Sequence, residues 1–428
     1  MTESFLHFVW ERQYFNKESL YTTSGESIKI HHPGQLNTHA GPDFFSARLR
    51  IGTVEWIGNV EVHISSSGWH DHQHSTDDAY NNVILHVVWK DNRPVQLNDG
   101  SWLPTLELQS RVDRDLLTRY RALVGSIESI PCTGGLTKVR NETRQLALER
   151  ALGERLTQKA QWILQAVSRN RGDWEETTYQ VLARSFGFKV NAEPFLQLAQ
   201  SLPLKMVLKH ATQTLQLEAM LFGQAGFLDT MSDDPYYLQL QREYRLLGRK
   251  YDLYRMRLSR AQWRFLRMRP ANFPTIRIAQ FASIYHCNPN IFSALLHADS
   301  RRDAAAIFSV STSDYWRYHY QFFGNWTPHL SKMGTSSIDS LITNTLVPLL
   351  TAYGHYKKDQ VFIDRAVRIL QTMPAEINYV IRHWVERGWV ATTAAESQAM
   401  LELFRNYCSK RRCLQCVVGR EIINPISS

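Results

Sequence analysis

Asp43, Glu61 and His63 are the residues whose types and spacing could do chemistry in this chain. They lie in one stretch from His39 to Val88, HAGPDFFSARLRIGTVEWIGNVEVHISSSGWHDHQHSTDDAYNNVILHVV, together with Trp69, His70, His72 and His74. Eight of the sixteen histidines fall between His31 and His86, a density that structural needs alone seldom produce. Asp43 follows Pro42 at the start of an apolar run, and seventeen residues separate it from Glu61. That length allows a strand, a turn and half a strand back, so the two carboxylates can meet. Side chains alternate along a strand, which puts Glu61 and His63 on one side. Paired carboxylates suit a hard cation, Mg²⁺ or Mn²⁺, which clamps a phosphate and activates a water. His63 and His70 would then serve as base, acid or phosphate contact.

The elements that must position these groups can be read from the alternation and its breaks. Residues 3 to 14 read as a helix, followed by β-like runs over Ser27 to His32, Phe44 to Ile51, Val54 to Ser65, Val83 to Trp89 and Leu103 to Leu108. Clusters of Pro, Gly, Asn and Asp, such as HHPGQLNTHAGPD and KDNRPVQLNDGS, separate them. Asp113 to Val124 reads as the closing helix of an α/β domain over residues 1–125. A linker over 126–140 contains Pro131 and the pair Gly134-Gly135. From 141 to 428 the spacing turns helical, as in Leu146 to Val167, Asp339 to Leu350, Asp364 to Met373 and Ala394 to Tyr407. The expected architecture is an α/β domain followed by a larger all-α domain.

The Pro42-Asp43 pair, the run Glu61-Val62-His63 and then Trp69-His70-Asp71-His72 resemble restriction-endonuclease-like nucleases. Within that superfamily they are most similar to the very-short-patch mismatch-repair endonucleases. The resemblance covers residues 40 to 74 and implies a mixed sheet and metal-dependent cleavage of DNA or structured nucleic acid. It implies Asp43 as the catalytic Asp, His63 and His70 as active-site histidines, and Trp69 as a DNA-wedging side chain. Glu61 stands where that branch has an apolar residue, and His63 where the wider superfamily has Lys. The whole chain, including GNVEVH, NNVILHVV and the terminal Cys pattern, is similar to a bacterial family known as a domain of unknown function.

Two other readings use the same letters. A nuclease fold that only binds nucleic acid would keep the basic surface and lose the chemistry. A cupin-like small-molecule metalloenzyme would use His72-x-His74 with Asp77 or Asp78 to hold Fe, Mn or Zn, but needs about twice as many strands. His86, flanked by Leu and Val, reads as a core histidine, and His31 and His32 as a solvated turn.

Beyond residue 141 two features bear on partners. Between Gln241 and Gln280 there are eleven Lys or Arg and two acids, an excess equal to the net charge of +9 of the whole chain. Tyr244 to Arg269 reads as one helix on which Arg257, Arg260, Arg264 and Arg267 continue the face of Arg242, Arg245 and Arg249, a geometry suited to phosphates and hence to a nucleic-acid partner. Cys408-x4-Cys413-x2-Cys416 could hold Zn²⁺ or an iron–sulfur cluster, with Cys287 as first candidate for the fourth ligand and Cys132 or His286 behind it. Five cysteines in 428 residues fit reduced thiols or a metal site better than a disulfide framework. The first residues lack a continuous apolar core and no uncharged run nears the ~20 residues of a spanning helix, so a cytoplasmic protein without a membrane partner is expected.

Overall fold

Phe5, Leu6, Phe8 and Val9 recur at helical spacing, and they are the buried face of helix α1, Glu3–Arg12. Gln13 ends it in a left-handed conformation (φ 55°). The computed structural model describes residues 1–37, 39–328 and 332–424. Six strands follow α1: β1 Ile28–His32, β2 Gln35–Leu36, β3 Phe44–Ile51, β4 Val54–Ser65, β5 Val83–Lys90 and β6 Thr105–Glu107. They form one mixed sheet in the order β1-β3-β4-β5-β6, with β2 on β3. The β1/β3 and β3/β4 pairs are antiparallel, and β4/β5 and β5/β6 are parallel. A parallel pair requires a crossover, and residues 66–82 supply it through the short helical turns Gly68–Asp71, His74–Thr76 and Asp78–Tyr80. A single mixed sheet of this size does not match the double antiparallel sheets of a cupin.

The chain divides into two units, one of Met1–Ala147 with Arg387–Trp389 and Leu403–Ser428, the other of Leu148–Glu386 with Val390–Glu402. The division therefore differs from a break at residues 126–140, because the C-terminal segment returns to the sheet-bearing unit. In that unit the helix Arg114–Val124 starts at Asp113, whose side chain caps the Asp115 amide. Its Arg119 donates to the Ile423 carbonyl at 2.6 Å, which anchors the returning segment.

The second unit is helical among its described residues. Its interior carries satisfied polar groups: Arg155 donates to Gln398 at 2.5 Å and to Glu402 at 3.4 Å, and buried Glu218 accepts from Tyr236 and Ser313. The helix expected over Tyr244 to Arg269 is not continuous. Pro235–Tyr251 is helical, and Asp252 closes it in a left-handed conformation (φ 52°). Beyond that point the backbone is spent on tertiary bonds, with the Leu258 amide on the Gln224 carbonyl at 2.9 Å and the Trp263 indole on the Ala225 carbonyl at 2.8 Å. Burying Leu253, Leu258 and Trp263 outweighed the helical arginine spacing. Among the described residues no helix is long and apolar enough to cross a membrane.

Candidate metal centre

The antiparallel register pairs Phe44 with Val60, so the next step outward sets Asp43 opposite Glu61. A bulge between Phe44 and Ala47, with Ser46 at φ 56°, produces that alignment, since the register beyond it runs one residue out of step. The two acids then hold each other's strand. The Asp43 amide donates to Glu61 Oε2 and the Val62 amide to Asp43 Oδ2, each at 3.0 Å. Asp43 is partly open to solvent whereas Glu61 is buried, so the pair runs from the surface inward.

The parallel register pairs Glu61 with His86, and the crossover folds its histidines back over β4. Donor nitrogens of His63, His72 and His74 all lie within 4.8 Å of one another. His63 Nδ1 is 2.9 Å from His86 Nε2, and His63 Nε2 is 3.1 Å from His72 Nδ1. His74 Nε2 stands 3.3 Å from Glu61 Oε1, and His63 Nε2 3.8 Å from the same oxygen. On the open side His7 of α1 faces Asp43, its Nε2 3.1 Å from Oδ2. Gly68 makes the close fit over His63 feasible, because a Cβ there would lie 2.8 Å from the imidazole Cδ2.

Charge follows from this packing. Burial, and then the Asp43 charge, raise the Glu61 carboxyl to about 8. Burial and the neighbouring imidazoles lower His63 to about 3, and the same causes lower His86 to about 3 and depress His74. At neutral pH these rings are uncharged, so their short distances to Glu61 are not ion pairs. They are neutral nitrogen donors of the kind a metal takes without first removing a proton. Nε2 of His7 and of His74, and Nδ1 of His86, are buried with no aligned hydrogen-bond partner. Buried polar atoms left without partners are costly, and a cation between the carboxylates and imidazoles would satisfy those that face it. Such a site is nitrogen-rich, which fits Mn²⁺, Zn²⁺ or Fe²⁺ better than the Mg²⁺ expected from two carboxylates alone.

The sequence-derived site residues divide accordingly. Asp43, Glu61 and His63 converge. With Nδ1 held by His86 and its protonation suppressed, however, His63 suits a ligand through Nε2 rather than a general base. His70 is not among the imidazoles that meet Glu61; it neighbours His86, whose protonation it helps suppress. Trp69 is fully buried, donates to Ser75 Oγ at 3.0 Å and packs edge-on against His74, Tyr80 and His86, so it cannot wedge into a duplex. Sequence reasoning passed over His7, Tyr80 and the part played by His86. Tyr80 stacks on His74 with ring centroids 3.8 Å apart, and burial raises its phenol to about 12. The one signal for His7 was a polar residue inside the apolar run Phe5-Leu6-His7-Phe8-Val9.

In the second unit Arg257 is committed to structure, donating to the Gly223 carbonyl at 3.0 Å and pairing with Asp229. Arg260, Arg264 and Arg267 are exposed on irregular chain, whereas Arg242, Arg245 and Arg249 keep a shared exposed face on Pro235–Tyr251. Cys408, Cys413 and Cys416 are buried in the first unit. Cys287 is exposed in the second, and His286 there is engaged with the Ala211 carbonyl at 2.6 Å.

A family model described as "Protein of unknown function (DUF2851)" matches residues 3–379. The chain belongs to that family. The match takes in the whole sheet, the crossover histidines and much of the second unit. No curated protein and no solved structure matches the chain.

Proposed function

We propose that the chain is a metal-dependent phosphodiesterase of the nuclease type, acting on DNA or structured nucleic acid. The observation that carries this reading is the meeting of Asp43 and Glu61 across β3 and β4, with His63 two residues beyond Glu61 on the same side of the strand. That is the arrangement the resemblance to restriction-endonuclease-like proteins implies, an acid opening one strand and an acid with a polar partner on the next. The mixed sheet is compatible with it. His63, His72 and His74 with Glu61 would hold the ion, and Asp43 would complete the site at its open side. A bound divalent ion supplies positive charge for a phosphate oxygen and a water of lowered pKa. The protein's own groups do the rest. His86 holds the His63 ring through Nδ1, leaving Nε2 for the site, an outer contact of the kind that orients metal ligands. Tyr80 fixes the plane of His74. His7, beside Asp43 and partly exposed, is placed to pass a proton between the site and solvent.

The test is cleavage of plasmid and oligonucleotide substrates by the metal-loaded chain across a divalent-metal panel, with metal content measured in parallel. His72→Ala with His74→Ala should lose both the ion and cleavage. Nucleic-acid binding without cleavage under any metal would leave an inactive nuclease fold. One observation favours a small-molecule metalloenzyme instead, the three imidazoles grouped as ligands. Stoichiometric metal lost in that double variant, with neither binding nor cleavage of nucleic acid, would establish that reading.

Binding has its own signature. Arg242, Arg245 and Arg249 present three cations from one exposed helix face. If each neutralises a phosphate, replacing all three by Gln lowers the slope of log affinity against log salt by about 3. An unchanged slope would assign them to a solvated face.

A further inference from the structure

Four of the five cysteines converge in the sheet-bearing unit, although Cys132 lies far from the other three in sequence. Cys132 immediately precedes the short helical segment Thr133–Lys138, and Cys416 immediately precedes the helix Val417–Ile423. These two segments are in direct contact, since a Cβ on Gly135 would lie 3.1 Å from the Ile422 side chain. Cys408 ends the π-helical turn Leu403–Cys408, and a tight loop carries the chain on to Cys413 and Cys416. That loop is held by the Arg411 amide on the Cys408 carbonyl at 3.1 Å, the Cys416 amide on the Cys413 carbonyl at 3.2 Å and the Arg420 guanidinium on the Leu414 carbonyl at 2.6 Å. Cys132, Cys408, Cys413 and Cys416 are each at most 9% exposed. We propose that they form a four-thiolate metal centre, with Cys132 rather than Cys287 as the fourth ligand, of the kind that takes zinc or an iron–sulfur cluster.

A buried cysteine can be no more than a small apolar residue. Four of five gathered from two distant segments, all reduced, go beyond that. The thiols are near enough for each to act on the others. Burial, and then Cys416 and Cys413, push Cys132 up to about 12, and burial and Cys416 push Cys413 to about 11. Arg411 acts on Cys408 and Cys413 in the opposite sense, offsetting the negative charge that a thiolate centre gathers.

The experiment uses the full chain produced and purified without oxygen, with iron and zinc both supplied. Stoichiometric metal ions are expected, either as colourless zinc or as iron with acid-labile sulfide and a broad visible absorption band. Cys132→Ser should lose them, while Cys287→Ser and the His72→Ala, His74→Ala double variant should keep them. A measurement that needs no variant accompanies this, alkylation of the native chain before and after chelation, which should unmask four thiols. A chain that takes up neither metal would overturn the proposal. Four thiols already reactive before chelation would overturn the centre itself, as would iron that Cys132→Ser retains or that is lost only with the histidines.

Discussion

Asp43→Asn is expected to abolish metal-dependent cleavage, a loss of at least about 10³-fold in kcat/KM, or roughly 4 kcal/mol of transition-state stabilisation. The fold should survive, because the amide oxygen of Asn can still accept the Val62 N–H that Asp43 Oδ2 accepts at 3.0 Å. What disappears is the anion at the open side of the site. Glu61→Gln should match that loss but carry a second signature. Glu61 is buried beside Asp43 and its carboxyl is raised to about 8, so holding it ionised without a cation is costly. The Gln oxygen can keep the bond from the Asp43 amide, and the buried charge is removed. Metal-free Glu61→Gln should therefore unfold at a higher temperature than the metal-free parent above pH 8 while having lost its activity. Groups kept for stability do not behave so; groups kept for chemistry do. Retained cleavage in Asp43→Asn, or a Glu61→Gln chain less stable than its parent at that pH, would remove the acid pair from the chemistry.

The sheet was legible because its strands are short, apolar and punctuated: Phe44–Ile51 and Val54–Ser65 have the limits that alternation and turn residues give them. The pairing of Asp43 with Glu61 was legible in outline. The bulge that sets it was not, since a positive φ at Ser46 has no side-chain signature. The crossover histidines were visible as a cluster, but which of them turn inward depends on short helical turns that fall between strand and helix periodicity. His72 and His74 therefore take the place that the resemblance gave to His70. The basic stretch misled for a different reason. Arginine at three- and four-residue spacing is a helical pattern, yet Leu258 and Trp263 had tertiary partners that a helix would have denied them. Cys132 could not be tied to Cys408 by any spacing rule, because their meeting depends on the last helix returning to the first unit.

In the metal-free protein, stability should pass through a maximum near pH 6.5 as far as the buried site governs it. His63 and His86 carry folded pKa values lowered from 6.5 to about 3. In that interval the unfolded chain binds two protons that the folded chain refuses, so their contribution is present above pH 6.5 and lost as pH falls towards 3. Glu61 works the other way, raised from 4.5 to about 8. The folded chain keeps its proton where the unfolded chain does not, so its contribution is present below pH 4.5 and lost as pH rises through about 8. Between pH 8 and 6.5 only Glu61 acts, and acidification stabilises by up to about 1.4 kcal/mol per pH unit. Between 6.5 and 4.5 the two histidines outweigh it by one proton, and acidification destabilises by a similar amount per unit. Below 4.5 the slope doubles, and His74, also lowered, adds to it. Denaturant titrations in the presence of a chelator across this range would trace the curve. Glu61→Gln should flatten the limb above pH 6.5 and steepen the acid limb between 6.5 and 4.5 to its two-proton slope. A saturating divalent ion should cancel the upper limb, because ion binding requires Glu61 to give up its proton and so tightens as pH rises towards 8 as fast as the metal-free fold weakens. Metal-free stability that does not change between pH 8 and 6.5, in the parent and in Glu61→Gln alike, would mean that Glu61 is ionised without a metal and that the site is not held ready for a cation.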